Sequence, residues 1–192
     1  RFSFAFDIPS FKVWTKKTVL KTFPRLFDPL GFLGPFLIKA RLVFRNTVER
    51  SLDWNVPLPA NICEEWKVWL ASAKGVSSIS LPRSSRHDKQ MTGEEIHIFS
   101  DASEYAICSV AYRVTIYSDG TRYATLLLSK TRVAPVKVLS IPRLELLAAE
   151  LSLKVADNVR KAHTLPLSAY HFWTDASDVL FWIAATSKRL SR

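Results

Sequence analysis

The sequence predicts an α/β layer fold with a mixed sheet in its second part, preceded by a mainly helical module. Three observations carry this expectation. β-rich runs succeed one another after Glu94, a long Leu/Ala-rich helix follows them, and a further short strand follows the helix. The first 74 residues instead place their apolar side chains at helical spacing.

The first part divides into helices by its punctuation. Thr15 is placed to cap a helix running through Val19, Leu20 and Phe23. Pro24 then requires that helix to kink or end, because an interior proline costs roughly 3 kcal/mol. Asp28-Pro29 is a fresh start signal, interrupted by Gly31 and by Gly34-Pro35. From Pro35 to about Glu49 the pattern is again helical, with Leu37, Phe44 and Val48 on one side and Lys39 and Arg45 exposed. Asn61 with Glu64 three residues on resembles a capping box. Ile62, Trp66, Trp69, Leu70 and Ala73 then form an apolar stripe that reads as core. The polar, unpatterned run from Pro82 to Lys89, which includes His87, marks a linker or solvated loop. The expected organisation is a helical module over residues 1–74, a linker over 75–93 and an α/β domain over 94–192.

In the second part, Ile96 to Ser103 alternates, setting His97, Phe99 and Asp101 on one face and Ile96, Ile98 and Ser100 on the other. Ile107 to Ile116 and Tyr123 to Ser129 are β-rich and joined by the turn Ser118-Asp119-Gly120-Thr121. Pro142 near its start and a long apolar body define a helix from Ile141 to His163. Ala169 to Thr174 is a short strand ending at Asp175, and Val179 to Thr186 opens another helix.

Composition narrows the function. The net charge of +10 arises from 27 Lys+Arg against 17 Asp+Glu. Residues 1–90 hold 15 basic and 7 acidic side chains, whereas residues 91–192 hold 12 and 10. A basic module beside a near-neutral one fits a polyanion-gripping part joined to a part that needs carboxylates. Ordinary solubilising charge would give the same excess. Cys63 and Cys108 stand far apart without Cys-x-x-Cys spacing, which argues against a zinc site or disulfide framework and for small buried hydrophobes in a reducing compartment. The longest uncharged apolar stretch, Val179 to Ala185, is too short to cross a bilayer, so no membrane partner is expected. The chain opens without Met or a signal peptide and reads as a piece of something longer.

Three acids stand where polar residues are locally costly: Asp101 in a strand, Glu145 in the first turns of an apolar helix and Asp175 at a strand end. A crossover connection can bring such positions together. Clustered carboxylates repel unless a cation lies between them, and hard oxygen ligands suit Mg²⁺ or Mn²⁺. Separate local explanations also exist: a strand-end turn residue, a Glu favoured by the helix dipole and an Asx turn. Phe99-Ser100-Asp101-Ala102-Ser103 and Trp173-Thr174-Asp175-Ala176-Ser177 are near copies. An aspartic protease would need a Gly in the turn after its Asp, and neither Asp101-Ala102-Ser103-Glu104 nor Asp175-Ala176-Ser177-Asp178 supplies one.

Those two segments combine with Ser129-Lys130-Thr131-Arg132-Val133-Ala134-Pro135 and Ile141-Pro142-Arg143-Leu144-Glu145-Leu146-Leu147-Ala148-Ala149. Together they resemble the RNase H-like region of BEL/Pao-type retrotransposon polyproteins. Upstream, Leu26-Phe27-Asp28-Pro29-Leu30-Gly31-Phe32-Leu33-Gly34-Pro35 and Leu52-Asp53-Trp54 resemble the reverse transcriptase thumb and connection of the same elements. The resemblance spans nearly the whole chain. It implies an RNase H-like mixed sheet with helices, incomplete at its C-terminal end, after a thumb/connection-like helical module. It also implies Asp101, Glu145 and Asp175 as ligands of two Mg²⁺ (or Mn²⁺) ions, with Asp101 bridging them. Glu150 is the rival of Glu145 and faces a different side of the helix.

The activity so implied is two-metal hydrolysis of the RNA strand of an RNA–DNA hybrid in the parent element. Lys16, Lys17, Lys39 and Arg45 are the expected phosphate contacts. The implied partners are the hybrid and the remainder of the Pol polyprotein, including the polymerase palm and integrase. The implied location is intracellular: the cytoplasm, in a virus-like particle, and the nucleus. RNase H enzymes carry a fourth carboxylate on a later helix, which this sequence does not reach, so residues 1–192 alone are expected to cleave poorly. The alternative is a catalytically inert, nucleic-acid-binding or structural remnant of a retroelement.

Overall fold

The computed structural model describes residues 1–82 and 89–185. The chain forms two compact units, Arg1–His87 and Asp88–Arg192.

In the first unit, helices α1 (Lys16–Thr22), α2 (Gly34–Glu49) and α3 (Ala60–Ala73) pack around an aromatic core. Thr15 and Thr18 form a reciprocal capping box at the start of α1, and the helix stops at Thr22. Pro24 follows inside a 3-10 turn, Phe23–Arg25, where its missing N–H costs nothing. The Asp28 carboxylate accepts the backbone N–H groups of Phe32 and Leu33 at 3.0 and 2.7 Å, shaping the approach to α2 rather than starting a helix itself. The buried stripe of α2 is Leu37, Ala40, Val43 and Thr47. Phe44 is only partly covered and Val48 is exposed, so the expected Leu37–Phe44–Val48 face is rotated by about a residue.

Helix α3 begins at Ala60 behind Pro59 without a side-chain cap, and the anticipated box of Asn61 and Glu64 does not form. Trp66 and Trp69 stack at 4.9 Å, and Trp69 Nε1–H donates to the Phe36 carbonyl at 3.0 Å, locking α3 to α2. The expected linker is shorter than its sequence suggests. Lys74–Ser78 continues α3 as a 3-10 turn, and β2 (Ser80–Leu81) pairs antiparallel with β1 (Phe2–Ser3). His87 and Thr186 lie outside the described residues.

The second unit contains β3 (Met91–Ala102), β4 (Ala106–Tyr117), β5 (Arg122–Val133), α4 (Ile141–Ala162), β6 (Tyr170–Trp173) and α5 (Ser177–Ala184). The sheet order is β5-β4-β3-β6, antiparallel except for the β3–β6 pair, which is parallel. β3 starts five residues earlier than its alternation alone predicts, because Met91 to Glu95 find backbone partners between Val114 and Tyr117 of β4. At the β4–β5 turn Gly120 takes φ +79°, and the Asp119 carboxylate accepts from Thr121 N–H and from Lys89.

Alternation decides which sheet face is buried. Ile96, Ile98, Ile107 and Ala111 lie beneath α4, which presents Leu144, Ala148, Leu151, Val155 and Val159. The opposite face carries Glu95, His97, Phe99 and Asp101 of β3 beside His171 and Trp173 of β6. Among the described residues, no helix is long and apolar enough to cross a membrane.

Candidate metal centre

Parallel pairing builds the centre. β3 and β6 run the same way, so their C-terminal ends emerge at one edge of the sheet. Asp101 lies near the end of β3, and Asp175 lies two residues beyond β6, in the connection to α5. Helix α4 starts over the same edge and carries Glu145 in its first turns. An oxygen of each of the three carboxylates lies within 4.8 Å of an oxygen of the other two. Glu150 is exposed and bound in an ion pair with Lys154, so the rival to Glu145 is committed elsewhere.

The three acids differ in setting. Asp101 and Asp175 are exposed, whereas Glu145 is buried. Glu145 Oε1 accepts the Ala102 backbone N–H at 3.3 Å, and Oε2 is buried without a hydrogen-bond partner. Burial raises the Glu145 pKa above its ordinary value, and the negative charges of Asp101 and Asp175 push it further the same way. The Cys108 thiol, opposite Asp101 on β4, is raised by burial and by the Asp101 charge. A carboxylate with one buried, unpartnered oxygen, grouped with two further carboxylates, is an arrangement that a hard divalent cation would satisfy.

A model of the Pao retrotransposon-like RNaseH-like domain family matches residues 15–176. The chain belongs to this family. The Pao family match begins at Thr15 in the helical unit and runs through Ala176, so it takes in all three acids and most of both units. The mixed four-stranded sheet with its helices is consistent with an RNase H-like fold. No curated protein matches the chain.

The basic residues singled out in this Pao family member have unequal surroundings. Lys17 and Lys39 are exposed. Lys16 is buried, donates to the Leu52 carbonyl at 3.2 Å and lies 4.8 Å from the ring centre of Trp54. It is a structural lysine, not the surface contact its sequence neighbourhood suggests. Arg45 is partly covered and pairs with Glu49 at 2.6 Å one helical turn away, so its charge is already engaged.

A second group of side chains able to offer metal-ligand atoms close together, Glu95, His97 and His171, escaped the sequence reading. The available signal was the longer repeat: His97-Ile98-Phe99-Ser100-Asp101 against His171-Phe172-Trp173-Thr174-Asp175. Each histidine precedes its acid by four residues.

Proposed function

We propose that this chain is the RNase H-like part of a retrotransposon Pol polyprotein and that its acids serve hydrolysis of the RNA strand of RNA–DNA hybrids. The observation that carries this reading is the approach of Asp101, Glu145 and Asp175 to within 4.8 Å in a chain of the Pao family. Divalent cations bound there, Mg²⁺ or Mn²⁺, would supply an activated water and stabilise the leaving oxygen.

The protein's own contribution is arrangement. Asp101, near the end of β3, and Asp175, just beyond the neighbouring β6, offer exposed oxygens to an incoming phosphodiester's metal shell. Glu145 is oriented by the Ala102 N–H, which occupies Oε1 and leaves Oε2 free to ligate. Beside Glu145 and Asp175, Ile141, Pro142 and Ser177 line an open cleft that gives a substrate strand access to the carboxylates. Residues 1–74 act as a thumb/connection-like module, in which Lys17 and Lys39 contact phosphates without reading bases. The hybrid, the polymerase palm and the integrase of the parent polyprotein are the partners in this reading, and the virus-like particle is its setting.

The test is cleavage of an RNA–DNA hybrid labelled on the RNA strand, with Mg²⁺, with Mn²⁺ and with chelator. It uses this chain and the parent polyprotein. Metal-dependent cutting of RNA alone, lost in Asp101→Asn, supports the proposal. Neither metal binding nor cleavage in either protein would favour an inert remnant.

A further inference from the structure

On the sheet face opposite α4, two residues before Phe99 and four before Asp101, the parallel register sets His97 directly beside His171. Their rings stack with centres 4.9 Å apart and planes inclined by 23°. Glu95 precedes His97 by two residues and therefore lies on the same face. Its Oε2 is 3.2 Å from His97 Nε2. A ring nitrogen of each histidine and a carboxylate oxygen of Glu95 all fall within 4.8 Å of one another. Tetrahedral ligands with bonds of about 2.0–2.2 Å are spaced by roughly 3.4 Å, and imidazole ligates in its ring plane, so closure requires side-chain shifts of around 1 Å together with rotation of at least one of the two stacked rings.

We propose that Glu95, His97 and His171 form a second metal site, separate from the three carboxylates, for a divalent transition-metal ion of the Zn²⁺ class. Two imidazoles and one carboxylate suit Zn²⁺, whereas Mg²⁺ takes oxygen ligands, so the two sites sort ions by donor chemistry. Three protein ligands leave a fourth position to water. The His97 hydrogen bond holds the Glu95 carboxyl below its ordinary range, and Arg122, 3.4 Å away, acts in the same direction.

Trp173 adds a mechanism specific to this chain. Its indole N–H donates to His97 Nδ1 at 3.0 Å. Nδ1 is thus the acceptor in this hydrogen bond, which assigns the ring proton to Nε2, on the side of Glu95. An ion bound at Nε2 requires the proton on Nδ1 instead, so metal binding exchanges the tautomer and releases the Trp173 indole. Trp173 lies two residues before Asp175, which links occupancy of this site to the strand end that carries a proposed catalytic acid.

The experiment is calorimetric titration of the full chain with Zn²⁺ in excess Mg²⁺, for the wild type, Glu95→Gln, His171→Ala and Trp173→Phe. The proposal expects one Zn²⁺ per chain, with affinity at least about tenfold weaker in Glu95→Gln and His171→Ala, since even a supporting residue typically costs that much. Trp173→Phe, which removes the competing N–H and keeps a ring, should bind as tightly as wild type or more so. If either ligand variant matches the wild type within twofold, the assignment is overturned. Because a variant can fail to fold, ring nitrogen NMR of the wild type provides the second measurement. Zn²⁺ should move the His97 proton from Nε2 to Nδ1, and unchanged His97 and His171 ring signals would overturn the site.

Discussion

Glu145, on α4, accepts the backbone N–H of Ala102, the residue after Asp101 on β3, at 3.3 Å. One hydrogen bond therefore ties the helix start to the strand end and leaves the second Glu145 oxygen buried and unpartnered.

This arrangement gives the ion-free protein a definite pH dependence. The folded-state pKa of Glu145 is raised above its ordinary 4.5, chiefly by burial and then by Asp101. Its contribution to stability is therefore fully present below 4.5 and is lost as pH rises through the raised folded value. Without divalent ions, Glu145→Gln should be more stable than wild type at neutral pH, and the difference should vanish toward pH 4. Added Mg²⁺ should stabilise the wild type and leave the variant nearly unchanged. Thermal unfolding at several pH values checks both arms, and a wild type indifferent to Mg²⁺ would count against the centre.

Substitution of the two exposed acids should remove activity without removing the fold. Asp101→Asn and Asp175→Asn each relieve repulsion at Glu145, so neither should lower the melting temperature of the ion-free protein. In the parent polyprotein each should reduce hybrid cleavage by on the order of 100-fold or more, the scale for losing one stabiliser of developing charge. Single-turnover cleavage alongside melting curves separates this outcome from unfolding.

The lysines of the helical unit should divide by setting. Charge reversal at exposed Lys39 or Lys17 should reduce the salt dependence of duplex binding by about one phosphate contact each, with little change in stability. Lys16→Ala should instead destabilise the unit by about 1–3 kcal/mol, because it deletes a charged hydrogen bond to Leu52 and a contact with Trp54. Binding measured across a salt series, together with denaturant unfolding, tests the division. An unchanged salt slope in Lys39→Glu would mark the basic excess as ordinary surface charge.

The β4–β5 turn offers a check on local backbone chemistry. Gly120 adopts φ +79°, which an L side chain rarely takes, although a Cβ there would meet open space. Gly120→Ala should cost about 1 kcal/mol from backbone strain alone. Gly120→Asn, which tolerates the left-handed region better, should recover part of that loss in the same unfolding measurement.

The sequence alone determined the pieces whose cause is local. Alternation from Ile96 onward set His97, Phe99 and Asp101 on one face, because successive strand side chains must point to opposite sides. Pro142 and the Leu/Ala body defined α4 and put Glu145 in its first turns. Proline chemistry likewise ended α1 before Pro24. Tertiary structure decided which pieces meet. A four-residue strand such as β6 carries no local mark of its partner, and only its parallel pairing with β3 across the α4 crossover sets Asp175 beside Asp101 and His171 beside His97. The same limit governs Lys16, which reads as a surface charge beside Lys17. Its burial depends on Leu52 and Trp54, more than thirty residues away, and no helical period records so distant a contact.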